Sequence, residues 1–274
     1  MPLYHYTDLS AVYSILKNKK LWLTDIRYLN DSQELHDGID FLIEGVKNPF
    51  PDVFANFEYF EKARDYILES LRGLKSYGVS EDPLFIFSLS SEPDCLSQWR
   101  AYGSYAIEFD NELLTSEVSK LLDCLYSDSQ KIANARLHAR DALAAVSNDM
   151  AKNNGCLGVD ALNAVISMSY DAATFKHRGF SEEKESRIVL PSNDSEFPSN
   201  IKHRPRGDIL IPYIEVPITL DCIKSISVGP MQNQAMAFAS MSEFIYGIER
   251  NWQVDSGNIE YELEVHKSAI PFRS

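Results

Sequence analysis

The sequence predicts an α+β fold, and three observations carry that prediction. The chain opens on a short alternating run, Leu3-Tyr-His-Tyr-Thr7, then a helical stripe, then a second strand run, Leu21-Trp-Leu-Thr-Asp25. Further strand runs return at Leu84–Ser90, Tyr105–Phe109, Arg187–Leu190 and through the last third of the chain. Between them lie segments with apolar residues at helical spacing, the densest from Asn111 to Phe175, rich in Ala and Leu. Periods of two and of 3.6 residues separate these two kinds of element.

In the first strand, alternation puts Tyr4 and Tyr6 on one face and Leu3 and His5 on the other. Asp8 or Ser10 caps the following helix, whose stripe is Leu9, Val12, Ile15 and Leu16, and Lys17 to Lys20 suit its negative end. A polar loop, Leu29-Asn-Asp31 with Glu34, leads to a helix reaching about Gly45, and Pro49-Phe-Pro51 ends it. A longer helix is expected from Val53 to Leu74, with its aromatics read as core. Leu84–Ser90 is a buried strand with Ser88 and Ser90 near its exit, and Ser97-Gln-Trp-Arg-Ala-Tyr-Gly103 reads as a hairpin or a ligand wall. Three helices are expected at 111–126, 129–152 and 160–175, and with no flexible linker around them they form an insertion, 111–176, within a single domain spanning 1–274.

Phe180-Ser-Glu-Glu-Lys-Glu-Ser-Arg-Ile-Val-Leu190 switches from a turn to a strand. In extended geometry Glu183, Glu185 and Arg187 share a face, so a carboxylate is held beside a guanidinium at a strand entrance. Strands follow around 209–211, 213–216 and 223–228, then a helix over 232–246 and a last strand over 259–266.

Composition narrows the function classes. At 45% hydrophobic and 24% charged residues the chain reads as soluble and globular, with no apolar run long enough for a membrane span. Its start lacks a basic n-region and an apolar h-region, so a cytoplasmic location is expected. The four cysteines are widely spaced, form no zinc pattern, and are expected to be reduced; no metal is expected. A net charge of -14 disfavours general attraction to nucleic acid. The visible basic candidates are Arg100 and the run Lys202-His-Arg-Pro-Arg206, the latter read as a solvated loop.

Taken together, Leu3-Tyr-His-Tyr-Thr7, Leu29-Asn-Asp31 with Glu34, Phe87-Ser-Leu-Ser90 with Trp99-Arg-Ala-Tyr-Gly103, Glu182-Glu-Lys-Glu-Ser-Arg187, Val228-Gly-Pro230 and Ile270-Pro-Phe-Arg273 resemble a large bacterial family of unknown function. The resemblance covers nearly the whole chain except the helices between Asn111 and Phe175. More distantly, the chain is similar to ADP-ribosyltransferases, especially bacterial toxins that modify DNA or RNA. That likeness implies a split mixed β-sheet of ADP-ribosyltransferase type with flanking helices, and NAD as the substrate. Carried over by motif, His5 would hydrogen-bond the ribose, and Tyr6, Tyr28 or Tyr102 would stack on nicotinamide. Glu185 would be the catalytic glutamate, and Glu183 with it would match the paired-glutamate form. Thr7, Asn30, Asp31, Ser88, Trp99, Arg100 and Arg187 would line the same cleft.

The chemistry behind that assignment is that cleavage at the glycosidic carbon of NAD passes through an oxocarbenium-like state, which a nearby carboxylate stabilises. The acceptor implied is nucleic acid or protein, the role that of a toxin or phage-defence effector, with a neutralising partner. Three rivals stand beside this expectation: an NAD glycohydrolase, a non-catalytic binding or regulatory module, and a metal-dependent nuclease using Asp25, Asp31, Glu34 and Glu185. The bland alternative is that Glu185 and Arg187 form a surface ion pair, worth roughly 0 to 1 kcal/mol, and that His5 is a satisfied core histidine.

Overall fold

A computed structural model describes residues 1–29, 32–50, 57–75, 83–118, 120–192 and 200–272, with the side chains of 32–34 also outside the description. Strand β1 (Leu3–Thr7) feeds helix α1 (Leu9–Asn18), which starts where the Asp8 carboxylate accepts the Ala11 N–H at 2.8 Å. Lys19 ends α1 in the left-handed conformation, φ 55°, and β2 (Lys20–Asp25) follows directly. Then come α2 (Ser32–Lys47), α3 (Phe60–Gly73), β3 (Leu84–Ser90), α4 (Leu96–Tyr102), β4 (Tyr105–Phe109), α5 (Asn111–Glu117) and β5 (Leu121–Asp123). The chain continues through α6 (Asp128–Lys152), α7 (Val159–Thr174), β6 (Glu185–Pro191), β7 (Lys202–Arg206), β8 (Ile209–Pro217), β9 (Ile223–Val228), α8 (Gln234–Ser256) and β10 (Glu264–Lys267).

The fold is α+β around one mixed sheet, ordered β10-β9-β4-β1-β3-β2-β8-β7, with β6 on β3 and β5 on β6. Only the β10–β9 pair is parallel among the described strands. Strand β3 is the branch point. Its whole length pairs with β6, from Leu84↔Pro191 to Ser90↔Glu185. Its other edge is shared: β1 meets it at Tyr4↔Ser90 and β2 at Thr24↔Ile86 and Asp25↔Phe85. Strands β1 and β2 pair outward with β4 and β8 and not with each other, so the sheet splits into a gap beside Phe87 and Ser88.

Two cores cover the sheet. On one face Leu3, Leu21, Leu23, Phe85, Phe87, Leu89, Ile188 and Ile214 pack under α1, α5 and α8. On the other, Ile26, Leu84, Ile86 and Val189 pack under α2, α3, α6 and α7. A small third cluster joins Tyr4, Tyr6, Trp99 and Ala106 beneath α4.

Several elements differ from expectation. Residues 97–102 lie in the helix α4, which ends at Gly103, instead of a hairpin, because Trp99 and Tyr102 also suit helical spacing and Trp99 has a hydrophobic seat beneath it. The helix expected at 111–126 stops at Glu117, and Leu121–Asp123 adds to β6 as an edge strand. The basic run 202–206 is strand β7, since β8 supplies its ladder, with Pro205 tolerated on the sheet edge. Residues 53–56, the start of the long helix expected from Val53, lie outside the described residues, as do 51 and 52, and α3 begins at Phe60.

Candidate functional site

The gap between β1 and β2 is where sequence and structure meet. His5 lies at its inner end, stacked on Phe87 with ring centroids 4.0 Å apart, and its Nδ1 is 2.8 Å from the Ser88 carbonyl. A carbonyl only accepts, so Nδ1 carries the proton and Nε2 of the neutral ring presents a lone pair. Burial pulls the His5 pKa down to about 4, assisted by the nearby Arg204 and opposed by the Ser88 carbonyl and Asp8. The imidazole is therefore neutral at neutral pH. A ligand hydroxyl would donate to Nε2.

Across the gap, β2 and β8 present Trp22, Thr24 and Tyr213 on the face of Ile86, so this group meets His5 only through the opening between β1 and β2, near enough for Arg204 to influence the imidazole. Arg204 of β7 lies over them: its Nη2 donates to Thr24 Oγ1 at 2.9 Å, and its guanidinium sits 5.4 Å and 5.6 Å from the Trp22 and Tyr213 ring centroids. Burial, then the neighbouring Arg206, lower its pKa. Arg206 itself donates to the Tyr28 carbonyl at 2.9 Å.

The glutamates form a second, separate constellation. Glu185 is 4% exposed. Its Oε1 accepts from Arg187 Nε at 2.6 Å, its Oε2 from Arg187 Nη2 at 3.2 Å, and Lys176 Nζ pairs with the same carboxylate. Lys176 also reaches Glu183 at 2.5 Å, Arg187 Nη1 donates to the Ala173 carbonyl at 2.6 Å, and the Glu185 N–H donates to Tyr126 Oη at 2.7 Å. Burial pushes the Glu185 pKa up, but Arg187 and Lys176 outweigh it and hold the carboxyl at about 2. The surface ion pair offered by the bland reading is thus a buried network. Breaking one partner of such a network costs about 3–5 kcal/mol.

His5 and Glu185 do not converge. Phe87 pairs with Ile188 on the α1/α8 face, where the His5 ring stacks, whereas Glu185 and Arg187 alternate with Ile188 and contact α7 on the opposite face.

The other expected residues divide. Thr7 ends β1 at the gap, against the close approach of Gly103, whose φ of 140° admits no ordinary side chain. Ser88 contributes its carbonyl. Tyr6 points away, its hydroxyl donating to the Glu92 carbonyl at 2.5 Å and accepting the Cys95 N–H at 3.1 Å. Trp99 is core, edge-on to Tyr6 and bonded through Nε1 to Asp94 at 2.7 Å, with Gly229 leaving room for its ring. Arg100 and Tyr102 are exposed on α4, on the Tyr6 side of β1. Tyr28 lies in the turn after β2 beneath Arg206. Asn30 and Asp31 lie outside the described residues, as does the side chain of Glu34. Of the nuclease carboxylates, Asp25 is held by Arg27 at 2.6 and 3.0 Å, and Glu185 is held as above.

Trp22, Thr24, Tyr213 and Lys176 are not among the candidates the sequence offers, and Arg204 is there only within the basic run 202–206, read as a loop. The available signal was the alternation of Lys202, Arg204 and Arg206, a period of two within a supposed loop. One cavity of about 580 Å³ lies beside Glu108, Asp221 and Glu262, and another of about 440 Å³ lies between α2 and α6 beside Phe41, Phe175 and the Lys176 of the glutamate network. Neither is lined by an expected site residue.

A family described as Protein of unknown function (DUF2971) matches residues 98–188. The matched span holds α4 through most of β6, with the Trp99–Gly103 run and the Glu185–Arg187 pair, and it includes the helical block set apart above as an insertion. No curated protein and no solved structure matches the chain. Among the described residues, no helix is long and apolar enough to cross a membrane.

Proposed function

We propose that the gap between β1 and β2 is a dinucleotide-binding cleft, with NAD as its ligand, and that the chain acts there as a binding module without turnover. The observation that supports this is His5: one ring nitrogen is tied to the Ser88 carbonyl, and the other is left as a neutral acceptor in an opening of the sheet. An acceptor in such a place suits a sugar hydroxyl. What supports the lack of turnover is Glu185, whose carboxylate is bound to two cations and faces the other side of the sheet.

A second reading, ADP-ribosyl transfer to nucleic acid or protein, is favoured by the cross-strand row Tyr4–Ser90–Glu185, which keeps the glutamate two strands from β1. A toxin or phage-defence role, with a neutralising partner, belongs to that reading.

Titration calorimetry with NAD, followed by chromatography for nicotinamide, separates these readings. Saturable heat with NAD intact after prolonged incubation is the expected result. Nicotinamide released from NAD alone indicates a glycohydrolase. Release only when nucleic acid or protein is added, with a mass gain on that acceptor, indicates a transferase. No saturable binding overturns the cleft reading itself.

A further inference from the structure

The surface charge of the chain is strongly negative, yet Arg204 is partly buried and pairs with no carboxylate among the described residues. The contrast is with Arg27, Arg64, Arg140 and Arg187, each of which meets an acid within 2.7 Å. One donor of the Arg204 guanidinium goes to the Thr24 hydroxyl. The others make no hydrogen bond among the described residues, and the Trp22 and Tyr213 rings lie beside the guanidinium. Lys20 and Lys202, close by on the same surface, already share Glu215. A desolvated guanidinium without a counterion is costly to keep, and it binds phosphoryl oxygens in a bidentate manner that lysine does not reproduce.

We infer that Arg204 is the anion-binding residue of this cleft and takes a phosphate or diphosphate group of the ligand, which makes the site selective for nucleotides over nucleosides. The inference rests on the cleft reading above for its nucleotide and on Arg204 alone for its anion. The two ends of the proposed site differ in chemistry. His5 offers an acceptor to a sugar hydroxyl, and Arg204 offers donors to an anion across the gap. Asp8, which influences both groups, is exposed at the start of α1 and forms no ion pair with Arg204.

The test compares the wild type with Arg204→Gln and Arg204→Lys, using NAD, nicotinamide riboside and inorganic diphosphate as probes in calorimetry. The substitution to Gln is expected to weaken NAD and diphosphate binding about 10- to 100-fold, the loss expected for charge-assisted hydrogen bonds. Nicotinamide riboside binding should be unchanged, and Lys should restore only part of the loss. Because Lys keeps the charge and the stem, it guards against a variant that fails to fold. Equal weakening of all three probes, or no weakening of diphosphate, overturns the assignment. Diphosphate binding that depends on Arg204 while NAD fails to bind would retire the NAD reading and keep the anion site. Binding of neither probe by the wild type sinks both.

Discussion

At the scale of single residues, the difference between His5 and Glu185 lies in what each has left to offer. The Glu185 carboxylate accepts from Arg187 and Lys176 while buried, so a ligand would have to displace a cation to reach it. His5 spends one nitrogen on a carbonyl that the splitting of the sheet would otherwise leave without a partner. That arrangement has a pH signature. A folded pKa of about 4 lies below the unfolded value of 6.5, so between those values the unfolded chain binds more protons and stability falls as pH falls. Glu185 adds a loss of the same sign at lower pH, between 4.5 and about 2. His5→Phe, which keeps the stacking on Phe87, should lower stability at neutral pH through the lost Ser88 bond, by about 1–3 kcal/mol. Its stability should also fall less steeply than that of the wild type between pH 6.5 and 4. Urea unfolding at a series of pH values checks this, and parallel curves for the two proteins would show that His5 titrates normally.

Among the elements, α2 carries glycines that helix propensity alone would not choose. A Cβ on Gly38 would lie 2.5 Å from the Ala172 carbonyl of α7, and one on Gly45 would lie 2.6 Å from the Ala135 carbonyl of α6. Backbone contact therefore sets the packing of α2 against both helices. Gly38→Ala should destabilise by about 1–3 kcal/mol, the cost of overpacking, despite the gain of about 1 kcal/mol in propensity. Gly247→Ala in α8, where a Cβ meets nothing within 4 Å, should be neutral or stabilising. Thermal unfolding of the two variants gives the comparison, and equal shifts would remove the packing argument. Elements were legible in sequence where their own pattern decides their state. Strands β1 and β3 show alternation or a buried apolar run, and the helix α1 shows its stripe and cap. Strand β7 was not legible, because its pairing comes from β8 and its residues, three cations and a proline, suit a loop by themselves. The site followed the same rule. His5 could be placed from the alternation of its own strand, but the Lys176 that neutralises Glu185 comes from beyond the end of α7, and Arg204 reaches Thr24 across 180 positions.

For the molecule as a whole, the remaining question is whether 111–176 is an appendage or part of the frame. Helices α6 and α7 supply Ala135, Ala139, Leu143, Val146, Met168 and Ala172 to the core that also holds Ile39, Ile67, Ile86 and Val189. Strand β5 extends the sheet through Leu121↔Ile188 to Asp123↔Ser186. The last turn of α7 delivers the Ala173 carbonyl to Arg187, and the chain leaving it delivers the Lys176 ammonium to Glu185. Removal of the block would therefore open one of the two large cores and strand a buried carboxylate beside an arginine stripped of its carbonyl. Losses of that kind, several kcal/mol from the ion network and more from the core, exceed the roughly 5–15 kcal/mol by which domains are stable. A chain in which a short Gly/Ser linker replaces 111–176 should show no cooperative urea transition and no near-ultraviolet circular dichroism. If the shortened chain instead unfolds cooperatively, the β-sheet stands without its helical layer, and Glu185 keeps Arg187 as its partner while losing Lys176.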